Sequence, residues 1–142
     1  MKKLIILFVI LLTAFSCRST DDDVLGFDPI PIGFDTNIVN VNSEAQDLTI
    51  LAKTEFALSA VCYYSQSDAE NAHWCEIINA DSQKRECSGP WFEVSHTGKS
   101  HISNTLNVNL GNNDSGTARV LRIHVFRDDR HEQLYIYQSG RE

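Results

Sequence analysis

Residues 119–138 read RVLRIHVFRDDRHEQLYIYQ, and this stretch decides the fold that the sequence predicts. Apolar residues occupy alternate positions on both sides of the turn signal Asp128-Asp129. A period of two indicates β-strands with one buried face, and the turn joins them into a hairpin. The positions expected to face inward are Leu121, Ile123, Val125, Leu134 and Ile136.

The same alternation recurs from about residue 36 onward. Further runs lie at 38–42, 48–52, 56–62 and 106–110. In the third of these runs, Phe56, Leu58, Ala60 and Cys62 are expected to share one face. Turn signals rich in Gly, Asn and Ser separate the runs, and the best candidate for a helical turn is 67–72. The pattern predicts an all-β fold, an immunoglobulin-like antiparallel β-sandwich of seven or eight strands.

Composition and charge narrow the function. The 142 residues carry a net charge of −7, and 42% of them are hydrophobic, which is typical of a globular protein. An acidic chain lacks the surplus of Lys and Arg that nucleic-acid binding requires, so no nucleic-acid partner is predicted. No HExxH or other paired metal-ligand motif links the histidines. We therefore expect a non-catalytic protein without a metal or cofactor. The histidines are His73, His96, His101, His124 and His131.

The N-terminal residues have the pattern of an export signal. Lys2 and Lys3 precede an apolar run, 4–12, which is too short to span a bilayer but fits a signal peptide. Small residues ending at Ser16 then lead to Cys17, which is similar to a bacterial lipobox. The sequence predicts a signal peptide over 1–16 and lipidation of Cys17. Ordinary cleavage after Ser16, releasing a soluble protein, is the alternative.

The residues after Cys17 indicate where the protein is delivered. Asp21 to Asp23 resemble the acidic signal that sends Bacteroidetes-type lipoproteins to the outer face of the outer membrane. Removal of 1–16 leaves 10 basic and 19 acidic residues, so anionic headgroups repel the chain and acyl chains must hold it. The predicted partner is thus a lipid anchor in the outer membrane. Residues 17–35 are assigned to a lipidated leader and spacer, and 36–142 to the folded domain.

Three cysteines remain if Cys17 is lipidated. Cys75 and Cys87 lie in a polar, loop-like stretch, whereas Cys62 lies in an apolar strand. In an oxidising compartment this favours a Cys75–Cys87 disulfide and a buried Cys62 thiol. Two bridges are possible if Cys17 is not lipidated. The spacing lacks the close cysteine pairs of zinc sites, so no metal site is predicted.

The second half of the chain resembles a known domain. Residues 91–95 (WFEVS), the spacing Asn113, Gly116 and Arg119, and the closing residues 136–140 (IYQSG) are similar to the BACON domain. This is an immunoglobulin-like sandwich common in Bacteroidetes surface lipoproteins and glycan-degrading enzymes. The similarity covers 91–140, and 65–90 departs from it as an insertion containing cysteines. The resemblance implies an extracellular sandwich and, more weakly, glycan or mucin binding, because many such domains are spacers.

Four residues of this half have expected structural roles. Trp91 follows Gly-Pro at the start of a strand and is expected to cap the core. Arg119 is expected to hold loop carbonyls or a carboxylate. The Gln138 amide is expected to pair with loop backbone at the end of the sandwich. Gly140 is expected at a turn that a side chain would hinder.

Two groups of side chains are candidates for ligand binding. If the alternate apolar residues of 119–138 face inward, Arg122, His124, Phe126, Tyr135 and Tyr137 form a strip on the outer face. The second group, in and near the insertion, is Tyr63, Tyr64 and Trp74. These rings either bind a glycan or glycoprotein, or only stabilise the sheet as cross-strand pairs. A different hypothesis is a structural subunit that pairs a sheet edge with a partner protein.

Overall fold

The computed structural model describes residues 31–79, 84–98 and 102–142. Within them, nine strands and one short 3-10 helix, Gln66–Asn71, form an all-β fold, as the sequence predicts. The predicted signal peptide, Cys17 and the acidic leader lie outside the described residues. The strands are β1 (Ile38–Val41), β2 (Gln46–Ser65), β3 (His73–Cys75), β4 (Ile78–Asn79), β5 (Lys84–Ser88), β6 (Phe92–Thr97), β7 (Ser103–Leu110), β8 (Arg119–Arg127) and β9 (Arg130–Gln138).

The strands form two layers that share one long strand. The front layer runs β1-β9-β8-β2-β3, and the back layer runs β2-β7-β6-β5-β4. Residues 46–51 of β2 pair with β7, and residues 57–65 pair with β8. Inner-face residues of both layers form one hydrophobic cluster, which gives the sandwich-like arrangement. The predicted inward set of β8 and β9 is fully buried in this cluster.

Strand β2 changes layers where its ladder is interrupted. Its pairing with β7 shifts between Leu51 and Phe56, so the carbonyl of Phe56 needs another partner. Nε2 of the fully buried His96 donates to that carbonyl at 2.7 Å. Nη1 of Arg85 donates to the carbonyl of Leu58 at 2.8 Å. Back-layer side chains thus satisfy buried carbonyls of β2 at the crossing, where an unpaired group would cost about 1–3 kcal/mol.

A bulge at Ser59 makes one sequence prediction wrong. Leu58 lies opposite Val125, which faces the core, but Ala60 lies opposite His124, which does not. Because side chains alternate between the two faces with a strict period of two, the extra residue reverses the face on which each later side chain of β2 lies. Phe56 and Leu58 therefore face the core, while Ala60 and Cys62 lie on the outer face of the front layer.

The sheet is mixed and has more strands than expected. β1 pairs with β9 in parallel, from Ile38 opposite Tyr135 to Val41 opposite Gln138, whereas the other strand pairs are antiparallel, as predicted. Two parallel strands need a long connection between them, and here the connection from β1 to β9 contains nearly the whole domain. The insertion adds the short strands β3 and β4, which raises the count above seven or eight.

The core also includes residues that the sequence assigned to the spacer. Ile32 is fully buried, and Phe34 is 8% exposed and forms a bridge with Ala52 of β2. Gly33 has φ +70°, a conformation that favours glycine, and its N–H donates to the carboxylate of Glu132 at 3.1 Å. The folded unit therefore begins before residue 36, and two of its core side chains come from the Pro- and Gly-containing segment.

The buried His96 predicts a loss of stability in acid. Burial lowers the pKa of His96 below its usual value of about 6.5. As the pH falls below about 6.5, the unfolded chain binds a proton at His96 more readily than the folded chain does. The free energy of unfolding therefore falls as the pH falls. We expect His96→Gln, which keeps an N–H donor but does not titrate, to weaken this dependence between pH 7 and pH 5 in urea unfolding.

The matched control is His73→Gln, at an exposed position of β3. It should leave the dependence of stability on pH as in the parent protein. An unchanged slope in His96→Gln would contradict the account.

Candidate functional site

Backbone pairing places one residue from each front-layer strand in a single row. In order across the sheet, the row is Ile38, Tyr135, Arg122, Cys62 and Trp74. Directly paired residues extend their side chains from the same face. Trp74 and Tyr135 are separated by three strand spacings, which is about 14 Å. The insertion therefore adds a tryptophan to the strip predicted on β8 and β9.

Neighbouring rows on the same face add further rings. Tyr137 and Tyr64 lie on either side of Val120 in the next row. On the other side of the central row lie His124, opposite Ala60, and then Phe126, opposite His131. We call this surface the aromatic face. Its members are Tyr64, Trp74, Arg122, His124, Phe126, Tyr135 and Tyr137.

Contacts within the aromatic face hold its side chains side by side. The Trp74 ring is 60% exposed, and its centroid lies 5.7 Å from the His124 ring and 5.6 Å from the Arg122 guanidinium carbon. Tyr135 and Tyr137 stack at 6.3 Å with an interplanar angle of 17°. These are ordinary stabilising geometries for rings. They leave a broad surface of ring faces and hydroxyl groups.

Arg122 covers the one free thiol found among the described cysteines. Its Nε donates to Sγ of Cys62 at 3.1 Å, and Cys62 is fully buried although it lies outside the core cluster. The prediction of a buried Cys62 thiol is confirmed, but its cover is the paired residues Arg122 and Trp74 rather than the hydrophobic core.

The charge of the aromatic face differs from that of the protein as a whole. Burial lowers the pKa of Arg122, but hydrogen bonds to Cys62 and Tyr135 raise it by more, so the pKa is raised overall. Burial lowers the pKa of His124, and nearby Arg122 lowers it further. Burial, followed by the effect of Tyr137, raises the pKa of Tyr64. The lowered pKa of His124 and the raised pKa of Tyr64 favour the neutral forms of these two side chains, and the rows of the face contain no carboxylate.

The outer face of the back layer provides a contrast. Its rows pair Asp47 and Glu93 with Asn109, and Thr49 with Asn107. Short polar and acidic side chains line the groove there, which has a volume of about 440 Å³. The two outer faces of one domain thus differ in chemistry, and the aromatic side chains are concentrated on the front layer.

Tyr63 does not belong to the aromatic face. It pairs with Leu121 and lies on the inner side of β2 at the end of the sandwich. Its ring centroid lies 5.2 Å from Phe92, 6.2 Å from Trp91 and 5.4 Å from His73. The sequence grouped Tyr63 with Tyr64 and Trp74, but adjacent strand residues face opposite sides and the structure separates them.

The disulfide fixes the strand that carries Trp74. Cys75 and Cys87 are bonded, as predicted, with their Cα atoms 6.1 Å apart. Cys75 is in β3 of the front layer and Cys87 is buried in β5 of the back layer, so the bond joins the two layers near their edges. A cross-link over this sequence separation is worth about 3 kcal/mol. It ties to the back layer a three-residue strand whose ladder partner is β2.

A buried polar network closes the end of the sandwich near the β7–β8 loop. Nε of Arg119 donates to Gln138 Oε1 at 2.8 Å, and Nη2 donates to the carbonyls of Gly111 and Asn112. Nε2 of the fully buried Gln138 donates to the carbonyls of Glu44 and Gly111. The expected roles of Arg119 and Gln138 are confirmed.

Further contacts complete this closure. The Arg119 guanidinium lies 4.1 Å from the centroid of half-buried Trp91, which packs against the core as expected. A Cβ on Gly140 would lie 2.6 Å from the amide nitrogen of Thr117, so the predicted constraint on this glycine is confirmed. Asn113, which the sequence identified only as part of the BACON-like spacing, is 2% exposed and donates to the carbonyls of Thr117 and Ser139. Its position in a polar turn motif gave no sign of burial.

The described residues contain no group of three His, Cys, Asp or Glu side chains placed to hold a metal ion. Across the same ranges, no helix has the length and apolar character needed to cross a membrane.

Comparisons with known proteins add support for the fold. No protein-family model and no curated protein matches the sequence. Among solved structures, the chain is similar to the NMR structure of a protein from Bacteroides thetaiotaomicron, with a TM-score of 0.53 and 18% identity. The similarity covers 79% of this chain and 83% of that one. At this identity the likeness concerns the fold alone.

The Gln138 network predicts a large effect from an isosteric change. Gln138→Leu keeps the volume but leaves the carbonyls of Glu44 and Gly111 and the Arg119 Nε–H without this partner. We expect the free energy of unfolding to fall by about 3 kcal/mol, measured in urea. The control is Gln133→Leu, at an exposed position of the same strand, with an expected change within about 0.5 kcal/mol. Equal effects in the two variants would contradict the role of the network.

Proposed function

We propose that this protein is a non-catalytic lipoprotein on the outer surface of the outer membrane, whose BACON-like sandwich binds glycan or mucin-type glycoprotein through the aromatic face. The observation that carries the proposal is the alignment of exposed Trp74 with Arg122 and Tyr135 across four strands. Sugar rings stack on aromatic faces, and their hydroxyls accept hydrogen bonds from guanidinium and phenol groups. A span of about 14 Å suits an oligosaccharide better than a single sugar.

The charge of the surface supports the same ligand class. The aromatic face contains a guanidinium and no carboxylate, whereas the opposite face carries Asp47 and Glu93. An acidic sugar would be attracted to Arg122 and repelled from the back layer. Glycans with acidic groups, such as those of mucins, are therefore the favoured ligands within the proposed class.

The affinity of one copy is expected to be low. Two rings that bury about 100 Å² each provide about 5 kcal/mol at 25 cal/mol per Å². Association costs at least about 4 kcal/mol, so little remains for a single site. Many copies anchored through Cys17 on one surface would raise the effective affinity without new contacts. A weak site is therefore compatible with useful binding if the proposed anchor holds many copies on one surface.

The alternative function is a structural subunit that pairs a sheet edge with a partner protein. Strand β1 is an edge of the front layer, and its Ile38 is 53% exposed. An open edge with an exposed apolar residue is suited to strand addition. Purification of the protein with a stoichiometric partner, lost in an Ile38→Lys variant, would favour this function over glycan binding.

Removal of either Trp74 or Tyr135 from the central row should weaken glycan binding. We expect Trp74→Ala and Tyr135→Ala each to reduce binding to an array of mucin-type glycans by at least about tenfold, because each removes more than about 1.4 kcal/mol of contact. The control is Leu51→Ala, since Leu51 is 57% exposed on the back layer against 60% for Trp74. Full binding by both ring variants would contradict the proposal.

Localisation is tested independently of ligand binding. The intact mass of the protein purified from membranes should show diacyl- or triacyl-modified Cys17, and added protease should digest the protein on whole cells. Cys17→Ala should move it from the membrane to a soluble fraction. An unmodified Cys17 would contradict the anchor, and complete protection from protease would contradict the surface location.

A further inference from the structure

A second recess, which adjoins the aromatic face at Tyr64, lies where the insertion meets the β7–β8 loop. It has a volume of about 470 Å³, within the range of small-ligand sites. Four rings line it: Tyr63, Tyr64, His73 and Trp91. The 3-10 helix contributes Asp68 and Asn71, and the β7–β8 region contributes Asp114 and Arg119. We call this recess the end cleft.

The polar side chains of the end cleft are held in place by contacts that leave hydrogen-bonding capacity. Nδ2 of Asn71 donates to Oδ1 of Asp68 at 2.7 Å, so the pair is oriented while Oδ2 of Asp68 is left to accept. Arg119 is fixed through Nε and Nη2 by Gln138 and two loop carbonyls. Its Nη1 donates to none of the described residues. The cleft therefore offers a fixed donor and fixed acceptors beside aromatic rings.

The charges of the end cleft select among small ligands. Asp68 disfavours an anionic ligand, and the guanidinium of Arg119 disfavours a cationic one, whereas Asp114 is paired with Arg141 at 3.2 Å. A neutral molecule with several hydroxyl groups satisfies both donor and acceptor sites and can place a C–H face on a ring. This is the opposite preference to that of the aromatic face, where Arg122 has no neighbouring carboxylate.

We propose that the end cleft is a second binding site, which takes one short, neutral sugar unit. The proposal deepens the glycan-binding function and rests on it, but its polar groups, Asp68, Asn71 and Arg119, do not belong to the aromatic face. One domain would then hold a glycan at two places: an acidic stretch along the aromatic face and a neutral unit in the end cleft. This also assigns a role to Tyr63, which the sequence selected and the aromatic face does not use.

The two tryptophans of the chain allow each site to be observed separately. Trp74 is on the aromatic face and Trp91 lines the end cleft. In NMR spectra of the ¹⁵N-labelled protein from Cys17 onward, with that cysteine replaced by Ser, each indole N–H gives one signal, and Trp74→Phe assigns them. The probes are the methyl glycosides of galactose, mannose and N-acetylglucosamine, titrated into the millimolar range.

We expect at least one neutral glycoside to shift the Trp91 signal in a saturable way and to leave the Trp74 signal in place. Asp68→Asn should weaken that binding by at least about tenfold, because an acceptor is lost. The matched control is Glu70→Gln on the same 3-10 helix, outside the cleft, which should bind as the parent does.

The possible results separate this proposal from the proposed function. No saturable Trp91 shift with any of the glycosides would overturn the end-cleft site, as would equal binding by Asp68→Asn and the parent. If an acidic mucin oligosaccharide shifted Trp74 in the same samples, the aromatic-face function would stand although the end cleft had failed. A Trp91 shift without any Trp74 shift by oligosaccharides would support the end cleft and contradict the aromatic face.

Discussion

The passage of β2 from one layer to the other is the constraint on which the rest of the structure depends. A single strand of 20 residues belongs to both layers, so its backbone must leave one ladder before it enters the next. The carbonyls of Phe56 and Leu58 receive hydrogen bonds from His96 and Arg85 at this point. The bulge at Ser59 then decides which side chains of β2 face out, and so which surface the domain presents.

The aromatic face follows from that constraint together with the disulfide. The bulge places Cys62 on the outer side, which allows Arg122 to cover it and Trp74 to pair beside it. The Cys75–Cys87 bond then ties β3 to the back layer, so the ring of Trp74 sits at a fixed distance from the rings of β9. The polar network around Gln138 closes the same sandwich at the end where the β7–β8 loop meets the insertion.

The features that the sequence predicted are those set by local patterns. Period-two alternation was sufficient to place the inward and outward sets of β8 and β9, and the turn at Asp128-Asp129 is present, with Asp128 at φ +55°. The disulfide could be predicted because Cys75 and Cys87 lie in a polar, loop-like stretch. The roles of Arg119 and Gln138 could be predicted from their positions beside a loop. Each of these inferences needs only neighbouring residues.

The features that the sequence missed depend on pairing between distant segments. Ser59 and Ala60 are both small, so the pattern held no sign of the bulge, and Cys62 was assigned to the wrong face. β1 pairs in parallel with β9, and β3 pairs with β2 in a particular register. No local sequence pattern indicates which of these segments pair. Ile32 was assigned to a spacer because prolines and glycines surround it. Trp74 could therefore be selected as a binding residue, but not placed beside Arg122.

The register around Cys62 tests the account most directly. In a nuclear Overhauser spectrum of the folded domain, backbone and side-chain protons of Cys62 should show contacts with both Arg122 and Trp74, while Tyr63 shows contacts with Phe92. This result would establish the bulge and the row across the front layer. Contacts of Cys62 with core residues such as Val94 or Leu106, in place of Arg122 and Trp74, would contradict the account, because the aromatic face would then lack its central row.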